Sequence, residues 1–467
     1  MIQAAPPGEQ KRKFIKDQVQ LSANPCITLF EQQKVSYQEL GISPSDPLLD
    51  TLEKINQQAE IIRLERKGFR ALQYVGVIQI NETTIQILPK IDYDSLAENP
   101  LRSNLSSKEN AEHTAARNLI SMLIYANGMK VHPQTLGALK VAPGGWLDLL
   151  TQLFATELLH QIKQGYHRDY VQQEDRLPFV RGRWNIVRQL CRHPDLIEGL
   201  DVQYDELLPD TPLNRVFRLA VSQMQPLIRD QQTRNLLADL DEWLKPVQIY
   251  PYASIYLDQI QFTRLNERFK AAFDLARLFL TGHSITLLPG KQRAFVFTLD
   301  MNRLFEQFVT RLLQSNAKRI LPREWQECVI ETQGGKTPRY LARPLPTTAK
   351  PILQLKPDIL IKSHGRPRLI IDTKNKTLPT LNAIQDIAKD DLYQMTIYAT
   401  HFDCPNVLLL YPRPAHTNTT SPLVLEIEGF PIRIFIAALN LHQPLNQLDG
   451  LVDEFRGILT CIHNYAR

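Results

Sequence analysis

Apolar and polar positions follow two periods along this chain, and the changes between them divide it into stretches. Period two comes first. Residues 26–37 (CITLFEQQKVSY) read as one strand, and EIIRLER, FRALQYVGVIQI and TIQILPKI between residues 60 and 91 are rich in β-branched side chains. Lys67-Gly68 and Asn81-Glu82-Thr83 punctuate them, which predicts a small antiparallel β unit. Residues 93–112 are polar and read as an exposed connection. Helical spacing takes over at residues 146–162, where Leu147, Leu150, Phe154 and Leu158 share a face. Similar stripes at 212–228 and 266–280 predict further core-facing helices. The chain then turns between 281 and 292. Asp300 has the character of an N-cap, and Met301, Leu304, Phe305, Phe308, Val309, Leu312 and Leu313 outline an amphipathic helix behind it. An irregular basic stretch runs to Lys350. Apolar strands at 353–362 and 368–376 flank Ser363-His364-Gly365-Arg366-Pro367. A helix over 381–402, a buried strand at 406–411 and a closing hairpin across Gly429 follow. Helix, strand, strand, helix, strand is an α/β order. The expected fold class is α+β and multidomain, with a β-rich unit at 1–95, a mostly helical middle at 110–285 and an α/β domain with a central mixed sheet at 290–467.

Composition bounds this picture. With 467 residues there is room for two to four domains at roughly 100–200 residues each. A 43% hydrophobic and 22% charged composition belongs to a globular chain. No apolar run reaches the ~18 residues of a membrane span. The N-terminus carries charge without an apolar core behind it, unlike a secretory signal. Five scattered cysteines with no CxxC pair argue against a disulfide framework or a cysteine metal site, and fit a cytoplasmic protein. The net charge of +5 conceals an uneven distribution. Between residues 311 and 380, 14 Lys and Arg stand against 5 Asp and Glu, so the remainder is slightly acidic. A local excess of this size suits a phosphate backbone.

Candidate chemistry lies inside that basic stretch. Pro357-Asp358 is followed, after thirteen residues, by Asp372-Thr373-Lys374. If the hairpin turns about Gly365, Asp358 faces Asp372, and opposed side chains lie roughly 4.5–5.5 Å apart at Cβ. Period two then places Asp372 and Lys374 on one face of the strand. Two carboxylates among Ile359, Leu360, Ile361, Leu369, Ile370 and Ile371 would repel unless a cation compensates. Mg²⁺ takes oxygen ligands of this kind, polarises a phosphate and helps to generate hydroxide. Lys374 could position the attacking water or neutralise developing charge. The same short pattern also describes a hairpin with a cross-strand ion pair. Two further features favour the chemical reading. Glu306 sits at the edge of the 301–313 stripe as a possible third carboxylate. Gln394 and Tyr398 lie one helical turn apart, placed to orient a phosphate or a water. There is no G-x-x-x-x-G-K-[ST], G-x-S-x-G or H-E-x-x-H.

The order Pro357-Asp358, Asp372-Thr373-Lys374, Gln394-x-x-x-Tyr398 resembles the PD-(D/E)xK nucleases. The stretch 294–309 (AFVFTLDMNRLFEQFV) and the run Asp391-Leu392-Tyr393-Gln394-Met395 with Tyr398-Ala399 resemble the McrC family in particular. Tyr74-Val75-Gly76-Val77-Ile78, Ile87-Leu88-Pro89-Lys90-Ile91, Arg181-Gly182-Arg183 and Pro212-Leu213-Asn214-Arg215 extend the likeness upstream. The resemblance implies metal ligation by Asp358 and Asp372 with help from Glu306. It also implies a catalytic role for Lys374 and support from Gln394 and Tyr398. It further implies an Mg²⁺-dependent endonuclease subunit of a methylcytosine-directed restriction system. Its partner would be a GTP-hydrolysing AAA+ ring, McrB, which recognises methylated double-stranded DNA and whose GTPase this subunit stimulates; no nucleotide would bind this chain itself. The N-terminal unit would face the ring, and Arg63, Arg66, Lys67 and Arg70 crowd its hairpin. Where that family often has an aromatic residue after the lysine, this chain has Asn375. Two other readings stay open: a non-catalytic activator that keeps the nuclease fold, and a stand-alone repair or junction nuclease.

Overall fold

In the computed structural model of the chain, residues 26–38, 43, 47–58, 61–80, 83–90, 105–132, 145–191, 199–287, 293–345, 350–376, 387–413, 421–443 and 445–465 are described. They form two compact units, one built from 1–128 together with 283–467 and the other from 129–282.

The first unit opens with β1 (Cys26–Phe30) and β2 (Lys34–Ser36). The sequence suggests one strand over 26–37, but the chain breaks at Glu31–Gln33 and its two halves join different sheets. Gln32 takes a positive φ of 65°, and the Gln33 side chain accepts from the Phe30 amide at 2.8 Å, closing a tight turn. β3 (Ile62–Glu65) and β4 (Gly68–Ala71) form a three-stranded sheet with β2. Phe69 and Ala71 face the core while Arg63, Arg66, Lys67 and Arg70 are exposed. β5 (Tyr74–Ile80) and β6 (Thr83–Leu88) pair antiparallel, and β1 runs parallel to β6. The helix Leu105–Ala126 begins inside the stretch 93–112 expected to be a connection; residues 91–104 lie outside the described ones. A polar first turn hides its start from a hydrophobic pattern.

The second unit contains the helices Trp146–Lys163, Pro212–Met224, Gln231–Trp243 and Lys270–Gly282, packed around Trp146, Phe154, Phe217, Phe269 and Phe279. Thr211 and Asp230 cap two of these helices, accepting from Asn214 and Thr233 amides. The unit also carries a three-stranded sheet, β7 (Asp169–Leu177), β8 (Arg183–Trp184) and β9 (Leu200–Leu208), which the mostly helical expectation lacked. Its strands are largely polar, so no buried alternation marks them.

The chain then returns to the first unit. β10 (His283–Leu287) and β11 (Arg293–Asp300) close the five-stranded sheet, and β11 pairs antiparallel with β5. The compact units therefore cut the chain differently from the stretches 1–95, 110–285 and 290–467, because β11 completes the N-terminal sheet. Asp300 ends β11 and caps the helix Met301–Ser315, accepting from the Asn302 amide at 2.9 Å. That helix buries its predicted stripe, and Phe308 meets Tyr125 of the 105–126 helix edge to face.

Beyond a short helix at Ala317–Ile320 come β12 (Val329–Thr332), β13 (Arg339–Ala342), β14 (Ile352–Leu355), β15 (Ile359–Ser363), β16 (Arg366–Thr373), β17 (Asn406–Pro412), β18 (Leu423–Glu426) and β19 (Arg433–Leu439). Six of them form a mixed sheet in the order β12-β15-β16-β17-β19-β18. β16, β17 and β19 run parallel, and the outer pairs run antiparallel. β17 is buried along its whole length, as a strand covered on both faces should be. Helices Lys389–Phe402 and Asp449–Tyr465 belong to the same unit. The expected helix start at 381 falls on residues outside the described ones.

Candidate active site

The site grows from the β15–β16 hairpin. His364 and Gly365 both have positive φ, as the two-residue hairpin turn requires. A register shift follows between Ile361 and Lys362. Past it, Ile361 faces Leu369, Leu360 faces Ile370 and Ile359 faces Ile371. Continued by one position, this register sets Asp358 opposite Asp372; the turn lies at His364-Gly365 rather than being centred on Gly365, and the register shift is what restores the expected pairing. The six apolar residues between are fully buried, so both carboxylates emerge at the end of a dry strand pair.

Each carboxylate has its own environment. Asp358 accepts from the Thr373 amide and the Thr373 hydroxyl, both at 2.7 Å. Burial raises its pKa, against those two bonds and the charge of Lys374. Asp372 is 3% exposed. Burial, reinforced by Asp358, pushes its pKa up to about 7, while Lys374 opposes the rise. Lys374 Nζ lies 2.7 Å from Asp372 Oδ2. Burial alone would lower the ammonium's pKa. Asp372, Asp391 and Asp358 outweigh it, so Lys374 is held above its ordinary value and stays a cation.

Gln394 and Tyr398 enter from the 389–402 helix. Lys374 Nζ donates to Gln394 Oε1 at 2.8 Å, and Gln394 Nε2 donates to the Tyr398 hydroxyl at 2.9 Å. As placed, the pair holds the lysine and itself. Glu306 projects from the 301–315 helix, half-buried and hydrogen-bonded by Gln333 Nε2. Burial raises its pKa, and Asp358 adds to the rise, so Glu306 lies within electrostatic reach of the hairpin.

Several neighbours are absent from the motif reading. Asp391, itself buried, receives Lys376 at 3.0 Å and lies 3.9 Å from Lys374 Nζ. Its proximity follows from one turn of helix before Gln394. Asn375 Nδ2 donates to Glu31 Oε1 at 2.8 Å, and burial pushes Glu31 up to about 8 against that bond. Gln333 carries no sequence signal, because it sits in a stretch without periodicity.

Asp358, Asp372 and Asp391 lie within the electrostatic reach of Lys374, Lys376 pairs with Asp391, and Glu306 stands apart from them. Two neighbouring carboxylates with hard oxygen donors fit Mg²⁺, which commonly completes its shell with water and phosphate. Glu306 is not gathered into the same cage: among the described residues, no three His, Cys, Asp or Glu side chains stand together as a ligand set.

Residues 69–412 match the family model of the McrBC 5-methylcytosine restriction system component. Two solved structures from Thermococcus gammatolerans share the fold. One, a half-complex of McrB AAA+ hexamers with bound McrC, is similar with a TM-score of 0.66 and 21% identity, over 94% of this chain and 100% of that one. The other, an McrBC complex, gives a TM-score of 0.50 and 24% identity, over 63% of this chain and 88% of that one. No curated protein matches. With the matched segment spanning most of its length, the chain belongs to the McrBC 5-methylcytosine restriction system component family.

Proposed function

We propose that this chain is the nuclease subunit of a modification-dependent restriction system. In this reading it is an McrC-type endonuclease that hydrolyses phosphodiesters of methylcytosine-bearing duplex DNA. It works with an McrB-like AAA+ ring, whose GTP hydrolysis it stimulates. The observation that carries the reading is the buried Asp358–Asp372 pair with Lys374 Nζ 2.7 Å from Asp372. A mixed sheet bearing that pair, with helices that carry Glu306 and Gln394, supports a PD-(D/E)xK reading of the domain. One Thermococcus structure holds McrC on McrB AAA+ hexamers, and the shared fold supports a similar assembly. The exposed cations Arg63, Arg66, Lys67 and Arg70 suit the N-terminal sheet to face the ring.

Asp358 and Asp372 would hold Mg²⁺, with Glu306 assisting; bound there, the ion would supply Lewis acidity toward the scissile phosphate. The chain's own residues do the rest. Thr373 fixes Asp358 with two hydrogen bonds, so the carboxylate is oriented before substrate arrives. Lys374, kept protonated by its three acidic neighbours, offers positive charge where negative charge develops on phosphoryl oxygens. Gln394 and Tyr398 lock the ammonium in place and spare it a search among rotamers.

Reconstitution with the ring partner, GTP, Mg²⁺ and methylated DNA tests this. Asp372→Ala should lose cleavage by at least about 10²-fold, a typical effect of removing a transition-state-stabilising group, while GTPase stimulation persists. Undiminished cutting by Asp372→Ala would favour the activator reading. Efficient cutting without partner or nucleotide would favour a stand-alone nuclease.

A further inference from the structure

β13 and β14 form an isolated two-stranded ribbon directly upstream of Pro357-Asp358. An isolated hairpin is marginal in water and normally needs a covering surface. This one is exposed on both sides. Every residue of β13 is exposed, and in β14 only Leu355 is buried, as part of the core cluster that includes Leu360, Ile370 and Tyr398. Tyr340, Leu341, Ile352 and Leu353 present apolar surface to solvent, and Leu353 is 65% exposed. Leu353 also has a φ of +57°, a left-handed conformation that is strained for a leucine.

The base of the ribbon is stitched to the site. Gln333 and Gly334 amides donate to the Asp358 and Pro357 carbonyls at 3.0 and 2.8 Å. Gly334 has a φ of +82°, and a Cβ there would meet the Leu355 carbonyl oxygen at 2.7 Å, so the turn requires glycine. Arg339 ties the ribbon to the C-terminal end of the 389–402 helix, donating to the His401 carbonyl and stacking 4.7 Å from the Phe402 ring. The ribbon therefore lies beside the helix that carries Gln394.

Its charge is one-sided. Residues 332–357 contain Lys336, Arg339, Arg343, Lys350 and Lys356 and no Asp or Glu, and all five cations are exposed. We propose that this ribbon is a DNA-engaging arm: it enters a groove of duplex DNA, its cations meet the flanking phosphates, and its exposed apolar side chains lie against the groove walls. Phosphates supply the complementary charge, and a two-stranded ribbon fits the major groove of B-form DNA. Continuity with Asp358 would bring the held duplex to the cleavage site. The inference rests on the nuclease reading for its substrate, but its test is separate.

Full-length protein carrying Asp372→Ala is titrated with a labelled duplex across a range of salt. In that background, Arg343→Gln with Lys350→Gln should weaken binding about tenfold. It should also flatten the log–log salt slope by roughly 1.8, the loss of two phosphate contacts. Leu353→Asn accepts positive φ more readily; it should leave the thermal midpoint unchanged or higher while weakening DNA binding several-fold. Unchanged affinity and slope in both variants would overturn the proposal. So would loss of binding to the ring partner with DNA affinity intact, which would make the ribbon a protein-docking surface. Cleavage by the single Asp372→Ala variant would defeat the nuclease reading without altering the ribbon's salt slope.

Discussion

At the scale of single residues, the weight of the site falls on groups that restrain other groups. Gln333 is one. Its amide donates to Asp358 O, its side chain donates to Glu306, and its φ of +52° is uncommon outside glycine. Removing the side chain leaves Glu306 without that donor. Gln333→Ala should raise the Mg²⁺ concentration for half-maximal cleavage by about tenfold or more, as loss of outer-shell partners commonly does. A metal titration with unchanged midpoint would count against a positioning role. The hairpin that carries Asp358 and Asp372 was legible in the sequence, because two apolar runs flank a glycine turn, but the bulge that sets their register was not. The two-residue turn alone would set Asp358 opposite Ile371, and the bulge between Ile361 and Lys362 moves the register by one residue and brings Asp372 across instead. Gln333 was not legible, since a left-handed residue in a loop leaves no periodic trace.

At the scale of elements, the 301–315 helix shows how far pattern reading reaches. Its cap, its stripe and the outward edge on which Glu306 sits follow from side-chain type alone. Asp300→Ala removes the bonds to Asn302 and Arg303 amides and should cost about 1 kcal/mol of stability. A calorimetric midpoint no lower than that of the parent chain would show that the cap is dispensable. Elements governed by tertiary demand were harder. The 26–37 segment has strand character throughout, yet two sheets claim its halves and Glu31 is left buried at the break. The polar strands of the 129–282 unit gave no alternation to read.

At the scale of the whole molecule, buried carboxyls tilt stability with pH. Glu31 has a folded pKa near 8 against an ordinary 4.5, so between those values the folded state holds the extra proton. Its contribution is complete below about pH 4.5 and is lost as pH rises toward 8. Asp148, raised by burial to about 6, loses its share earlier. Asp372, near 7, titrates within the upper range. Stability should therefore fall from pH 6 to 8, by at most about 1.4 kcal/mol per pH unit for each group. Glu31→Gln, which still accepts from Asn375, should remove part of that slope and leave Asp372's part. Denaturant melts at pH 6, 7 and 8 compare the two; parallel slopes would mean Glu31 ionises freely in the fold. The division into units was the least legible feature, because β11, one of the two partners of β5, is separated from it by the entire 129–282 unit.

That pairing has a consequence during synthesis. β5 residues 74–80 wait for residues 294–300. At 5–20 residues per second, the interval is roughly 10–40 s. Through it the apolar strand Tyr-Val-Gly-Val-Ile has β6 on one side and an open edge on the other. Such an edge invites pairing with other nascent chains. The insertion of a whole unit between two neighbouring strands thus makes the early life of this protein depend on what shields that edge.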